Sequence, residues 1–289
     1  MPSPKVWFIT GSSTGFGRAM TEHVLAKGDI AVATLRSPEV LAELKSKHSE
    51  DKLLVLKLDV SKPHEIKDAF AATVKRFGRV DNVFNNAAYG IFGEAEAVPE
   101  DTARAMFDVN LWGAINVSKE AVRVMREVNK PAGGRLLQIS SVAGIQGFTA
   151  LSFYCASKSA LNAFSEALSK EVDPEWNVKA SVIVVEPGAF RTPALSKIII
   201  ALPHPAYEKP LGALRASYES ELHDWHSMQD PVKAVEVLHR IAALPDPPLF
   251  LPFGTDAIEM AKKKYAEMVK GTEAVASWSE ELRIVGGDA

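Results

Sequence analysis

Apolar runs suited to buried strands recur at residues 5–10, 30–34, 53–58, 80–85, 135–140, 178–185 and 249–252, and segments of helical spacing separate most of them. Short apolar runs alternating with amphipathic segments predict an α/β fold, a mainly parallel sheet with helices on both faces. After the first run, Phe16, Met20 and Val24 recur at helical spacing and Gly28 suits a helix end, which gives a first βαβ unit. Pro245, Pro247 and Pro248 crowd the start of the last run. Proline cannot donate to a ladder, so that strand is expected at a sheet edge.

Between Pro193 and about Trp225 the pattern turns irregular, with Ile198-Ile199-Ile200 and then Pro203, Pro205 and Pro210. We expect residues 193–225 to form a mobile substrate lid. Residues 256–282 are expected to form a charged C-terminal helix. A chain of 289 residues, 47% hydrophobic and 24% charged, has material for one large core, and we expect a single domain over 1–289 carrying these elaborations.

A formal net charge of −3 offers no broad cationic surface for nucleic acid. One cysteine, Cys155, permits neither an internal disulfide nor a thiolate metal site. No apolar stretch is long enough for a membrane span, and the strand-like Val6-Trp7-Phe8-Ile9 begins too early for a signal peptide. A soluble, cytoplasmic protein is expected, with no metal.

Thr10-Gly11-Ser12-Ser13-Thr14-Gly15-Phe16-Gly17 follows a predicted strand and opens a predicted helix, the context in which a glycine-rich turn binds a dinucleotide. Gly11 allows a tight turn, Gly15 lets backbone approach a pyrophosphate, and Gly17 permits close helix packing. The helix N-terminus adds partial positive charge. Gly11, Ser13, Thr14, Gly15, Phe16 and Gly17 are therefore candidate cofactor contacts; the bland alternative is a plain glycine turn. Sites that prefer NAD usually carry a carboxylate about 20 residues beyond such a motif. Ala33-Thr34-Leu35-Arg36-Ser37 has none, and the planar cation of Arg36 suits a 2′-phosphate. NADP(H) is the expected cofactor, unless Arg36 is simply a solvated loop residue.

Tyr154 and Lys158 are four residues apart, so a helix sets them on one face. A free tyrosine, with a pKa of about 10, is a poor base at neutral pH, and a nearby ammonium favours its phenolate. Lys158 is the expected source of that field, and the Ser141 hydroxyl can hold a substrate oxygen against Tyr154.

Taken together, TGSSTGFG (10–17), Leu58-Asp59-Val60, NNAAYG (85–90), Asn110, ISSVAG (139–144), YCASK (154–158) and EPGAFRT (186–192) resemble, in order, the landmarks of the short-chain dehydrogenase/reductase family. The resemblance implies a seven-stranded, doubly wound Rossmann-type sheet and hydride transfer at a nicotinamide. Asn110, Ser141, Tyr154 and Lys158 would be catalytic, with Asn110 holding a water linked to Lys158. Asp59 and Val60 would contact the adenine, Asn86 and Ala87 the cofactor's ribose side, and Lys158 the nicotinamide ribose. Pro187, Gly188, Phe190 and Thr192 would line the nicotinamide. One departure is visible: Ala88 stands where the family usually has glycine, which matters if the backbone there needs positive φ. Homodimers or homotetramers packed through helices around 103–127 and 154–172 would follow.

The implied reaction is NADP(H)-dependent interconversion of a carbonyl and an alcohol. Ser141, Ile145, Phe148, Tyr154 and Leu195 would contact a lipophilic ketone or aldehyde, with Leu151 and Ile198-Ile199-Ile200 facing the same cleft. Those apolar residues otherwise only pack the lid. The rival functions are a redox sensor that binds NADP(H) without turnover, and an enone reductase, dehydratase or epimerase on the same scaffold. Cys155 suits a small buried thiol, His223 and His226 a polar lid surface, and Met20, Met106 and Met125 core filling.

Overall fold

The computed structural model describes residues 3–177, 182–193, 197–221 and 228–282. Its strands, in chain order, are β1 (Val6–Thr10), β2 (Ile30–Leu35), β3 (Leu53–Lys57), β4 (Asn82–Asn85), β5 (Ile91–Phe92), β6 (Arg135–Ile139), β7 (Val182–Pro187), β8 (Ile199–Ile200) and β9 (Phe250–Phe253). Seven of them form one sheet in the order β3-β2-β1-β4-β6-β7-β9, with every pair parallel. The fold is the expected Rossmann-type α/β sheet, and β9 lies at its edge.

The helices are α1 (Gly15–Ala26), α2 (Ala42–Ser46), α3 (Pro63–Phe77), α4 (Glu100–Phe107), α5 (Ala114–Glu127), α6 (Ser152–Glu171), α7 (Glu208–Glu221), α8 (Pro231–Ala242) and α9 (Thr255–Glu280). Successive strand residues point to opposite faces, which divides the core in two. Phe8, Val83, Leu136 and Val184 pack against α3 and α5 through Phe70, Val117 and Met125. Trp7, Ile9, Phe84, Leu137 and Ile183 pack against α1 and α8 through Met20, Val24 and Leu238.

The segment after β7 is more regular than its sequence pattern suggests. It contains α7, with Pro210 in the first helical turn. A missing N–H there removes no intrahelical hydrogen bond, so proline does not break this helix. The segment is also anchored. β8 pairs with β5, Arg215 Nε donates to Glu94 Oε1 at 2.7 Å, and Tyr218 stacks on Phe92 at 3.9 Å. Among the described residues no helix is long and apolar enough to cross a membrane.

Candidate active site

The chain leaves β1 toward β2 and β3 on one side, and leaves β4 toward β6, β7 and β9 on the other. In open α/β sheets the crevice at such a switch point, beyond the carboxyl ends of the strands, is where ligands bind. The glycine turn leaves β1 there. Gly11 and Gly15 have φ of +69° and +57°, a region that L side chains rarely adopt. A Cβ on Gly17 would collide with the Gly11 carbonyl oxygen, so the glycine lets α1 start hard against the turn. Ser13, Thr14, Gly15 and Phe16 remain only partly covered.

Thr10 ties the turn to the end of β4. Its Oγ1 accepts the Asn86 and Ala87 backbone N–H groups at 2.8 and 3.0 Å, while Asn86 Nδ2 donates to the Thr10 carbonyl oxygen at 3.0 Å. Only Ala150 and Asn177 are non-glycine residues with positive φ among the described residues, so Ala88 carries no such strain.

At the far end of this crevice, Arg36 is exposed just past β2 and Asp59 follows β3. Burial pushes the Asp59 carboxyl up, but hydrogen bonds from Ser61 and the charges of Arg36 and Lys62 outweigh it and hold Asp59 below its ordinary value. Val60 is buried, with the Gly113 backbone packed close against its side chain.

Ser141 lies two residues beyond β6 and caps the short turn at Val142–Gly144, its Oγ accepting the Ala143 N–H at 3.1 Å. Tyr154 and Lys158 sit on α6. Lys158 is almost fully buried and donates from Nζ to the Ile139 carbonyl oxygen at 2.9 Å, with Nζ 5.8 Å from the centre of the Tyr154 ring. Burial dominates both groups. It raises the Tyr154 phenol, against a hydrogen bond from Ser141, and lowers the Lys158 ammonium to about 8. The lowering of the Tyr154 pKa expected from a neighbouring ammonium is therefore not the net effect here.

Asn110 lies in a π-helical turn, Asp108–Gly113, between α4 and α5. Such turns widen the helix by one residue and recur at functional sites. Its amide is buried, exchanging hydrogen bonds with the Tyr89 backbone at 2.8 and 3.0 Å and reaching Ser157 Oγ on α6 at 3.4 Å.

The 187–192 loop is fixed from behind. Asp256 Oδ2 accepts the Ala189 N–H at 2.7 Å and Asp256 Oδ1 accepts from Gln229 Nε2 at 2.7 Å, and a Cβ on Gly188 would strike the Asp256 carboxylate. Phe190 packs between Phe16 and Phe253, and Thr192 closes on Gly15. Pro187 is buried at the end of β7.

The apolar wall beside Tyr154 is built from Ile91, Val98, Met106 and Ala201, with Tyr89, Phe107 and Phe153 partly buried against them. Ile198 and the Tyr154 ring both approach Gly90. Ile145 and Phe148 are half-buried on the Ser141–Tyr154 connection, where the Phe148 N–H meets Cys155 Sγ at 3.3 Å. Leu195, His223 and His226 lie outside the described residues.

Several supporting residues escape the sequence patterns. Ser140 Oγ donates to Asn162 Oδ1 at 2.5 Å, and Asn162 Nδ2 donates to Glu186 Oε1 at 2.7 Å, linking β6, α6 and β7 beneath Lys158. Burial pushes the Glu186 carboxyl up to about 7. Thr10 was visible as the first residue of the glycine motif, whereas no local signal marks Glu94, Arg215 or Asp256.

The family model for short chain dehydrogenase matches residues 5–201. An uncharacterized oxidoreductase of Schizosaccharomyces pombe is 40% identical over 277 residues, covering 95% of this chain and 90% of that protein. A protein of Bacteroides thetaiotaomicron named 3-ketodihydrosphingosine reductase is 32% identical over 189 residues, 65% of each chain. The crystal structure of a short-chain dehydrogenase from Streptomyces avermitilis superposes with a TM-score of 0.86 at 31% identity, covering 98% of this chain and all of that one.

Proposed function

The chain belongs to the short-chain dehydrogenase family of oxidoreductases, and on that footing we propose that it uses NADP(H) to interconvert a carbonyl and an alcohol on a lipophilic small molecule. The reading rests above all on Ser141, Tyr154 and Lys158 meeting beside an apolar wall. When bound, the nicotinamide cofactor supplies or accepts the hydride.

The residues of the crevice fit such a cofactor. Positive φ at Gly11 and Gly15 brings backbone to a pyrophosphate, the start of α1 offers its free N–H groups, and Arg36 provides a cation for a 2′-phosphate. Ser13, Thr14, Phe16 and Gly17 complete the turn; Asp59, Val60, Asn86 and Ala87 flank the adenine and ribose side; Pro187, Gly188, Phe190 and Thr192 form the nicotinamide side. On the substrate side, the Ser141 hydroxyl orients the carbonyl oxygen and Tyr154 passes a proton to it or takes one from the alcohol. The Lys158 ammonium stabilises the tyrosinate and holds the ribose, while Asn110 positions water for proton exchange with solvent. Ile145, Phe148 and the 193–225 segment, including Leu195, enclose the apolar part of the substrate. Burial of that part yields about 25 cal/mol per Å². The name of the Bacteroides relative, which specifies 3-ketodihydrosphingosine, agrees with a lipophilic substrate class.

Incubation with NADPH or NADH and a panel of ketones, aldehydes and enones, followed by product analysis, tests the assignment. Alcohol formed from bulky apolar ketones, with NADPH preferred, is the expected result. Cofactor binding without consumption would favour a redox sensor. Saturated ketones from enones would favour a different reaction on this scaffold.

A further inference from the structure

Tyr218 carries the segment after β7 to the Tyr154 side of the crevice. Its ring lies face to face with Phe92, 3.9 Å between centres and 7° from parallel. Three residues earlier on the same face of α7, Arg215 is held by both oxygens of the Glu94 carboxylate, and by the Ala201 carbonyl oxygen at 3.1 Å. Two separate contacts therefore fix where the Tyr218 ring points.

β5 relates that ring to Tyr154. Gly90 and Phe92 flank Ile91 and so face the same side of the extended segment. A Cβ on Gly90 would lie 3.8 Å from Cδ2 of Tyr154. Tyr154 and Tyr218 thus pack over positions two residues apart on one strand face, a separation of about 7 Å at 3.3 Å per residue. Burial pushes the Tyr218 phenol up to about 12, and Tyr154 is the titratable neighbour that pushes it further. Among the described residues no hydrogen bond takes up the Tyr218 hydroxyl. A phenylalanine would stack on Phe92 equally well, and a hydroxyl drawn into an apolar wall without a partner costs stability. Its oxygen is left for a bound molecule.

On the oxidoreductase reading above, we propose that the Tyr218 hydroxyl determines specificity by hydrogen-bonding a second, uncharged oxygen of the substrate, and that the favoured substrates are lipophilic ketones oxygenated a few bonds from the reacting carbonyl, as β-hydroxy ketones are. Ser141 and Tyr154 hold the reacting oxygen, and Tyr218, set farther along the strand face, holds the other. The second group carries no charge. Arg215 is engaged by Glu94 and Ala201, and no cation acts on the Tyr218 phenol among the described residues, so a carboxylate or phosphate there would be buried without a counter-ion. A substrate lacking the second oxygen leaves the Tyr218 hydroxyl unpaired, and is disfavoured for that reason.

Tyr218→Phe keeps the stack on Phe92 and removes only the hydroxyl. With NADPH, the wild type should favour 4-hydroxy-2-decanone over 2-decanone about tenfold in kcat/KM, the worth of one neutral hydrogen bond, and Tyr218→Phe should abolish that preference. Affinity for NADPH should stay within twofold, and 3-oxodecanoate should be a poor substrate for both proteins. Calorimetric binding of the two ketones to the NADP-loaded proteins, run in parallel, should show the same preference and the same loss. If that binding difference is found but neither ketone is reduced, Tyr218 keeps its role and the oxidoreduction proposed above is what fails. No preference in the wild type, a preference that survives Tyr218→Phe, binding of neither ketone, or 3-oxodecanoate as the best substrate would overturn the inference. An equal loss on both ketones would overturn it too, by making Tyr218 a packing residue only.

Discussion

The Lys158 ammonium donates to the Ile139 carbonyl oxygen at 2.9 Å, so the last residue of β6 positions a side chain that rises from the second turn of α6. The strand thereby holds the ammonium beneath the Tyr154 ring. An ion buried with one carbonyl partner is poorly compensated, which is why its pKa falls to about 8.

This buried charge costs stability in the cofactor-free protein. A folded-state value of about 8 against an ordinary 10.5 corresponds to about 3 kcal/mol at 1.36 kcal/mol per unit. Between those values the unfolded chain holds more protons, so stability rises with pH from about 8 to 10.5, and the full cost is present below 8. Lys158→Met should flatten that rise and leave the melting temperature at pH 7 no lower than wild type. Turnover should fall by at least a hundredfold and NADPH affinity should also weaken. Thermal melts across pH, cofactor titration and initial rates check each part; loss of affinity alone would remove the role of Lys158 in proton transfer.

Glu94 and Arg215, 121 residues apart in the chain, fasten α7 over the apolar wall. Hydrogen bonds from Arg215 are the largest influence on Glu94 and hold its carboxyl at about 2 despite burial. Its contribution is present above the ordinary carboxylate range and is lost as the pH falls toward 2. Glu94→Gln leaves the guanidinium without its carboxylate, a loss of about 3 kcal/mol or more for a buried pair. Amide exchange in 197–221 should accelerate, and KM for bulky ketones should rise several-fold while NADPH affinity stays within twofold. An exchange pattern identical to wild type would show that the segment is secured without this pair.

Arg36→Asp should reverse cofactor preference, by repelling a 2′-phosphate and supplying a ribose acceptor. Loss of the charge-assisted contact is worth about 1.5–3 kcal/mol, or roughly ten- to a hundredfold in NADPH affinity. Titration with both reduced cofactors reads this directly. An unchanged NADPH/NADH ratio would make Arg36 a solvated loop residue.

How far the sequence reveals the molecule depends on the range of the interaction. Strands such as Val6–Thr10 and Ile30–Leu35 are legible because each is a nearly continuous apolar run buried on both faces. β7 extends past its predicted end because Glu186 is buried by a hydrogen bond to Asn162, which no apolar pattern reveals. α7 was obscured by Pro210, a breaker everywhere but in a first turn. In the candidate site, Gly11 and Gly15 announce their backbone by residue type alone. The Thr10 link to Asn86 and the Glu94–Arg215 pair join distant loops through polar atoms, and leave no periodic trace. Spacing placed Tyr154 and Lys158 together, but it carries no information about burial, which sets the direction of both their pKa shifts.

The central claim is that the Tyr154 hydroxyl transfers the proton while the surrounding crevice binds the cofactor. Tyr154→Phe removes that hydroxyl and keeps the ring that packs beside Gly90. Measured together on one preparation, NADPH affinity should remain within about threefold of wild type, whereas turnover of the best ketone should fall by at least a hundredfold, about 2.7 kcal/mol or more in the barrier. Turnover within a few-fold of wild type, with cofactor still bound, would contradict the account.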